Sequence, residues 1–252
     1  MNTKTLVIFI GIIAVLLVAF YVIGRTGNGD NPGAPPPQPP PPKLSSATIN
    51  KYWDQLVKNA AGPALGNPNA PWTIIECGDF ECPNCGKSRP VVEKLVSDSG
   101  GKVKLYFINF PLVQIHHNAL GAAEASLAAN AQGKFWPEFN VLYSHQDELV
   151  PSEIQYYSSS IPGLDTKQLA ADIASKKYAP AVANEAQLVQ KLGVEATPTF
   201  LVRATNGGQA QYYVGLEHRP NTMALADLVK AQPWNQKAPM VASAAPAAHP
   251  HP

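Results

Sequence analysis

The segment Glu76-Cys77-Gly78-Asp79-Phe80-Glu81-Cys82-Pro83-Asn84-Cys85 holds all three cysteines of the chain. A Cys-x-x-Cys pair is a redox dithiol, half of a zinc site or a coincidence, and its surroundings decide between them. Trp72 to Glu76 reads as a short buried strand and Cys82 to Ser97 as a helix, with Pro90 a candidate kink. Cys82 is therefore expected at a helix start, where unpaired N–H groups and the positive end of the helix dipole favour a thiolate; it should be acidic and exposed. Cys85, one turn further on, is expected on the buried side, able to close a disulfide with Cys82 or to resolve a mixed disulfide. A zinc site would need two more ligands, and Cys77 with His116 or His117 has no recognisable ligand spacing.

Working outward, Ile49, Trp53, Leu56, Val57 and Ala60 fall at helical spacing, so the folded body opens with an amphipathic helix that ends near Gly62-Pro63. Lys102 to Phe110 reads as a second strand, and strand, helix, strand implies a parallel pair with a right-handed crossover. An Ala-rich helical region follows: Asn118 to Ala131, Phe135 to Glu148, Ser152 to Ser159, Asp165 to Lys176 and Ala181 to Leu192, divided by Gly133, Pro151, Pro162-Gly163 and Pro180. Thr199 to Arg203 and Gln211 to Val214 then read as a hairpin through Asn206-Gly207, and Asn221 to Ala231 as a closing helix. The order is βαβ, helices, ββα.

With Ala196-Thr197-Pro198-Thr199-Phe200 far downstream, the cysteine segment resembles the DsbA-like thiol:disulfide oxidoreductases of the thioredoxin superfamily. Phe110-Pro111-Leu112, His117-Asn118-Ala119-Leu120, Ala122-Ala123 and Gln132-Gly133-Lys134-Phe135-Trp136 look like the membrane-anchored or secreted branch. The similarity runs from about residue 72 to about residue 231. It implies an α/β thioredoxin fold with a helical insertion, at about 112–193, between the second and third strands. It also implies Cys82 and Cys85 as the redox-active pair, Pro198 as a cis proline beside them, and Pro83, Asn84 and the Thr197 backbone along bound substrate. Glu76 matches the family's buried acid, which has a raised pKa and relays a proton to or from Cys85. Without the resemblance, Glu76 reads as a solvent-facing strand residue, since glutamate is rarely buried unpaired. Some relatives pair this acid with a lysine on the neighbouring strand, for which Lys102 and Lys104 are candidates.

Strand alternation turns Cys77 away from Glu76, which suits a buried inert thiol; a third redox partner or an intermolecular link is the sharper alternative. His116 and His117 suit capping or packing at a helix start. Trp136 and Phe139 have the periodicity of an insertion core.

Leu6 to Ile23 carries no charge, and as a helix it would rise about 27 Å, close to the roughly 30 Å of a bilayer core. Residues 1–24 are expected to be an uncleaved anchor, since the run exceeds that of a cleaved signal peptide. Lys4 before the span favours a cytoplasmic N-terminus and an exported body. Eight of the eleven residues Pro32 to Pro42 are proline, a semi-rigid stalk within a 25–47 linker. The domain is expected over 48–235, followed by a disordered Ala/Pro/His tail at 236–252. The 19 basic and 18 acidic side chains nearly cancel, which leaves no electrostatic footprint for nucleic acid.

The expected function is a membrane-tethered oxidoreductase that introduces disulfides into exported proteins, without metal or organic cofactor, and is reoxidised by a membrane quinone-linked partner. An isomerase or reductase would use the same residues. A redox-inactive chaperone or scaffold and a copper chaperone are the rivals from other classes, the latter short of methionine ligands.

Overall fold

The computed structural model describes residues 43–217 and 222–235. The expected anchor, most of the Pro-rich linker and the Ala/Pro/His tail lie outside the described residues. Among the described residues no helix is long and apolar enough to cross a membrane.

Ser45 opens helix α1 (Ser46–Lys58), its Oγ accepting the Thr48 N–H at 3.2 Å. Ile49, Trp53 and Leu56 form the buried stripe of this helix. Then come β1 (Leu65–Gly66), β2 (Trp72–Gly78), α2 (Pro83–Asp98) and β3 (Val103–Asn109). The intervening helices are α3 (Ala119–Ala131), α4 (Phe135–Ser144), a 3-10 turn (Gln146–Glu148), α5 (Pro151–Ser158), α6 (Thr166–Ala174) and α7 (Ala179–Lys191). Strands β4 (Thr199–Ala204) and β5 (Gln211–Val214), helix α8 (Leu225–Ala231) and a 3-10 turn (Pro233–Asn235) close the described chain.

The five strands lie in the order β1-β3-β2-β4-β5. β2 runs parallel to β3, as the α2 crossover requires, and antiparallel to β4. Helices cover both faces, which is why β2 is buried from Thr73 to Gly78. On one face Ile75, Cys77, Ile108 and Leu201 pack with Trp53 of α1 and Val189 of α7. On the other, Ile74, Leu105, Phe200 and Val202 pack with Val92 and Leu95 of α2 and Leu225 of α8. This is the thioredoxin arrangement, with the helical insertion between β3 and β4.

A third cluster joins the insertion to the sheet. Phe80, Phe107, Phe135, Phe139 and Tyr143 meet at tilted or edge-on angles, with centroids 4.8–6.4 Å apart. Gly78 makes this possible, because a Cβ there would lie 2.4 Å from the Phe107 ring. Helix α3 is buried on nearly every side, its alanines letting α4 and α6 approach closely. Trp136, partly buried, packs against the rim of this core, its Nε1 donating to the Pro63 carbonyl at 3.0 Å.

Four features differ from the sequence expectation. Helix α1 ends at Lys58 rather than near Gly62-Pro63, with Asn59 as its C-cap. β1, a two-residue edge strand, carries no alternation to read. The closing helix starts at Leu225 rather than Asn221, because the Met223 carbonyl accepts the Val214 N–H at 2.7 Å and extends the sheet edge. Helix α4 stops at Ser144, and Gln146–Glu148 form a separate turn.

Candidate active site

The register of the sheet builds the site. Cys77 on β2 is paired with Thr199 on β4, so the residues just past the end of β2 and just before β4 meet at one edge. The Thr197–Pro198 peptide bond is cis, and the Thr197 carbonyl lies 3.5 Å from the Cys82 sulfur. Cys82 is the N-cap of α2 with Pro83 at the first helical position, where proline's fixed φ suits a helix start. Cys85 is fully buried one turn in, while Pro83 and Asn84 are exposed. The expectation that Cys82 is exposed needs correction: it is 6 % accessible, walled in by the Thr197 segment and by the insertion.

The two thiols are driven apart in acidity. A hydrogen bond from the Cys85 thiol, then the Thr197 hydroxyl and the N–H groups of Cys85 and Asn84, hold Cys82 down to about 5 against the opposing effect of burial. Burial first, then the hydrogen bond to Cys82 and the Cys82 charge, pushes Cys85 well above the ordinary thiol range. The Thr197 hydroxyl is buried and makes no full hydrogen bond, so its help to the Cys82 thiolate is smaller than that of the Cys85 thiol.

Glu76 shares a sheet face with its neighbours Phe107 and Phe200, directly opposite on β3 and β4. It is fully buried and neither carboxyl oxygen has a hydrogen-bond partner. Burial, with a smaller push from the Glu93 charge, raises its pKa to about 8. Ser88, which lowers that value somewhat, gives its hydroxyl proton to the Cys85 carbonyl at 2.8 Å. The solvent-facing reading of Glu76 is thereby overturned. Neither candidate lysine reaches it: Lys104 is paired with Thr73 and its Nζ donates to the Pro68 carbonyl, while Lys102 donates to Asn235. The acid stands alone, protonated at neutral pH, close enough to Cys85 for its charge to raise that thiol's pKa.

Cys77 faces the other side of the sheet, fully buried among Ile75, Ile108 and Leu201, and burial pushes its thiol far up. An intermolecular link through it does not fit that burial.

The thioredoxin family model matches residues 58–217. The chain belongs to the thioredoxin family. It is 30 % identical over 148 residues to the probable disulfide bond formation protein D of Bacillus anthracis, covering 55 % of this chain and 68 % of that protein. It is 36 % identical over 137 residues to the Na(+)/H(+) antiporter NhaA 3 of Salinispora tropica. That match takes in 54 % of this chain and 21 % of the antiporter, so the chain spans about a fifth of the length of such relatives. Among solved structures, the thiol-disulfide exchange protein alpha-DsbA2 from Wolbachia pipientis superposes with a TM-score of 0.59 at 25 % identity, over 73 % of this chain and 92 % of that one.

This thioredoxin-family site also contains residues that the sequence reading passed over. Asp79, fully buried, accepts the N–H of Glu81 and of Leu112 and the Nδ1 of His116, each at 2.8 Å, and so ties the cysteine loop to the segment after β3. Glu81 in turn accepts the Asn118 N–H at 2.7 Å, at the start of α3. His116 is thus a packing residue of the loop. The Asp79-x-Glu81 turn was legible as an Asx turn. Nothing local marked Gln146, whose amide reaches the Phe80 and Cys82 carbonyls from 66 and 64 residues away.

Proposed function

We propose that this chain is a thiol:disulfide oxidoreductase that passes the Cys82–Cys85 disulfide to cysteine-containing proteins outside the cytoplasmic membrane, tethered there by its N-terminal segment. The observation that carries this reading is the asymmetry of the two thiols, one held acidic at a helix start and the other buried and basic. A substrate thiolate attacks the Cys82 sulfur; the Cys82–Cys85 bond breaks, its electron pair goes to Cys85, and a mixed disulfide forms. The buried, protonated Glu76 supplies the proton that Cys85 takes up. A second substrate thiolate then attacks the substrate sulfur of the mixed disulfide, and Cys82 departs as a stable thiolate. An acidic leaving group makes this transfer favourable. Pro83, Asn84 and Thr197 border the path that substrate follows. A quinone-linked membrane partner restores the disulfide by taking the two electrons.

The test is oxidative refolding of a reduced, unfolded model protein by stoichiometric amounts of the oxidised chain. Rapid loss of substrate thiols, absent in Cys82→Ser, supports the proposal. Disulfide transfer no faster than with Cys82→Ser overturns it, and net reduction of a disulfide-bonded substrate by the dithiol form points to a reductase or isomerase instead.

A further inference from the structure

The Cys82 loop has a tether that comes from neither the sheet nor α2. Gln146 lies in the 3-10 turn between α4 and α5, and its side-chain amide donates to the Phe80 carbonyl at 2.6 Å and the Cys82 carbonyl at 3.0 Å. The turn is braced from behind. The His145 ring stacks on Tyr157 of α5 with centroids 3.6 Å apart and 8° between planes, and the Tyr157 hydroxyl donates to Glu148. In front, Gln146 fills the space beside Gly86, where a Cβ would lie 2.0 Å from its Oε1. The Cys82 carbonyl also accepts the N–H of Cys85 at 3.0 Å and of Gly86 at 3.2 Å. Three donors therefore converge on one carbonyl, and together they fix how the Cys82 residue faces the first turn of α2.

Resting on the redox reading above, we propose that Gln146 is a positioning residue for the dithiol: its amide, docked against Gly86 and bonded to the carbonyls on both sides of Glu81, holds the Cys82 sulfur toward Cys85 and the helix N–H groups. The insertion thus does more than shield the site. It sets the loop geometry on which thiolate stabilisation depends, and Gly86 is glycine because any side chain would displace the amide.

The measurement is the Cys82 thiolate absorbance against pH, together with equilibration against glutathione, for the wild type, Gln146→Ala, Gly86→Ala and the double variant. Alanine at position 86 is a better helix former than glycine, so that variant evicts the amide without weakening α2. Each single variant is expected to raise the Cys82 pKa and to make the couple less oxidising by about three- to tenfold, the scale of one or two net hydrogen bonds, or about 15–30 mV. The double variant is expected to shift no further than either single one, because both remove the same contact. Folded single variants with wild-type pKa and potential overturn the inference, as do additive shifts in the double variant. If Gln146→Ala does not fold, Gly86→Ala alone decides by the same criterion. A wild type with no reversible dithiol overturns the function proposed above and this inference with it; a normal wild type with unmoved variants overturns this one alone.

Discussion

The Cys82 sulfur and the Thr197 carbonyl oxygen lie 3.5 Å apart, across 115 residues of chain. A thiol donates to that carbonyl, whereas a thiolate is repelled by it, so this contact by itself favours the protonated form. The low pKa of Cys82 must therefore come from other groups, the Cys85 thiol above all, with the Thr197 hydroxyl and two N–H groups. The Thr197 segment thus presents the sulfur with a carbonyl that resists ionisation, and the first turn of α2 supplies most of the donors that outweigh it.

Alkylation of the reduced protein should follow that balance. Reaction of Cys82 with iodoacetamide is expected to titrate with a midpoint near 5, while Cys85 stays unmodified well into the alkaline range. Removing the largest stabiliser, as in Cys85→Ala, should move the midpoint upward. Mass mapping that finds the two cysteines equally labelled at pH 7 would contradict the assignment.

Stability should fall as the pH rises from about 5 to 8. Glu76, Glu138 and Glu185 have folded-state pKa values raised by burial to about 8, 7 and 8, so each binds a proton in the folded chain that the unfolded chain has already released. Their contribution is whole below the ordinary carboxylate range and is lost as the pH climbs through 7 to 8, by at most about 1.4 kcal/mol per pH step for each group. Cys82, with a lowered value, works in the other direction between 5 and 9 in the reduced protein. Denaturant midpoints across this range check the sign, and Glu76→Gln should flatten the slope. A slope unchanged by Glu76→Gln would show that the acid does not titrate as described.

Asp79→Ala should be costly. It leaves the Glu81 and Leu112 N–H groups and His116 without their acceptor in a buried loop, a loss on the order of 3 kcal/mol. Chemical denaturation measures it, and a change below about 1 kcal/mol would mean that the loop finds other partners.

Cys77 should matter for packing alone. Cys77→Ala is expected to cost on the order of 1 kcal/mol and Cys77→Ser more, since a buried hydroxyl among Ile75, Ile108 and Leu201 gains little in exchange for its desolvation. Both should exchange disulfides at the wild-type rate. A rate loss without a stability loss would give Cys77 a redox part.

The elements with strong periodicity were legible in the sequence: β2 through β5 and the insertion helices begin and end within a few residues of where alternation, helical spacing, glycine and proline place them. What escaped was set by contacts between distant segments. Leu65–Gly66 becomes a strand only because β3 offers an edge, and Met223 stays extended only because Val214 binds its carbonyl. The site divides in the same way. Cys82 and Cys85 announce themselves by spacing, whereas Pro198 and Glu76 required the resemblance: a lone Thr-Pro reads as an ordinary turn, and the burial of Glu76 depends on Phe107 and Phe200 of other strands. Gln146 could not be read at all, since its partners lie 64 and 66 residues away.

The reduction potential of the Cys82–Cys85 couple, measured on the full chain against glutathione, tests the central claim most directly. An acidic Cys82 stabilises the reduced form, so the value should lie nearer to about −120 mV, that of a strong disulfide donor, than to about −270 mV. A potential near −270 mV, or a pair that cannot be cycled between dithiol and disulfide, would contradict the account.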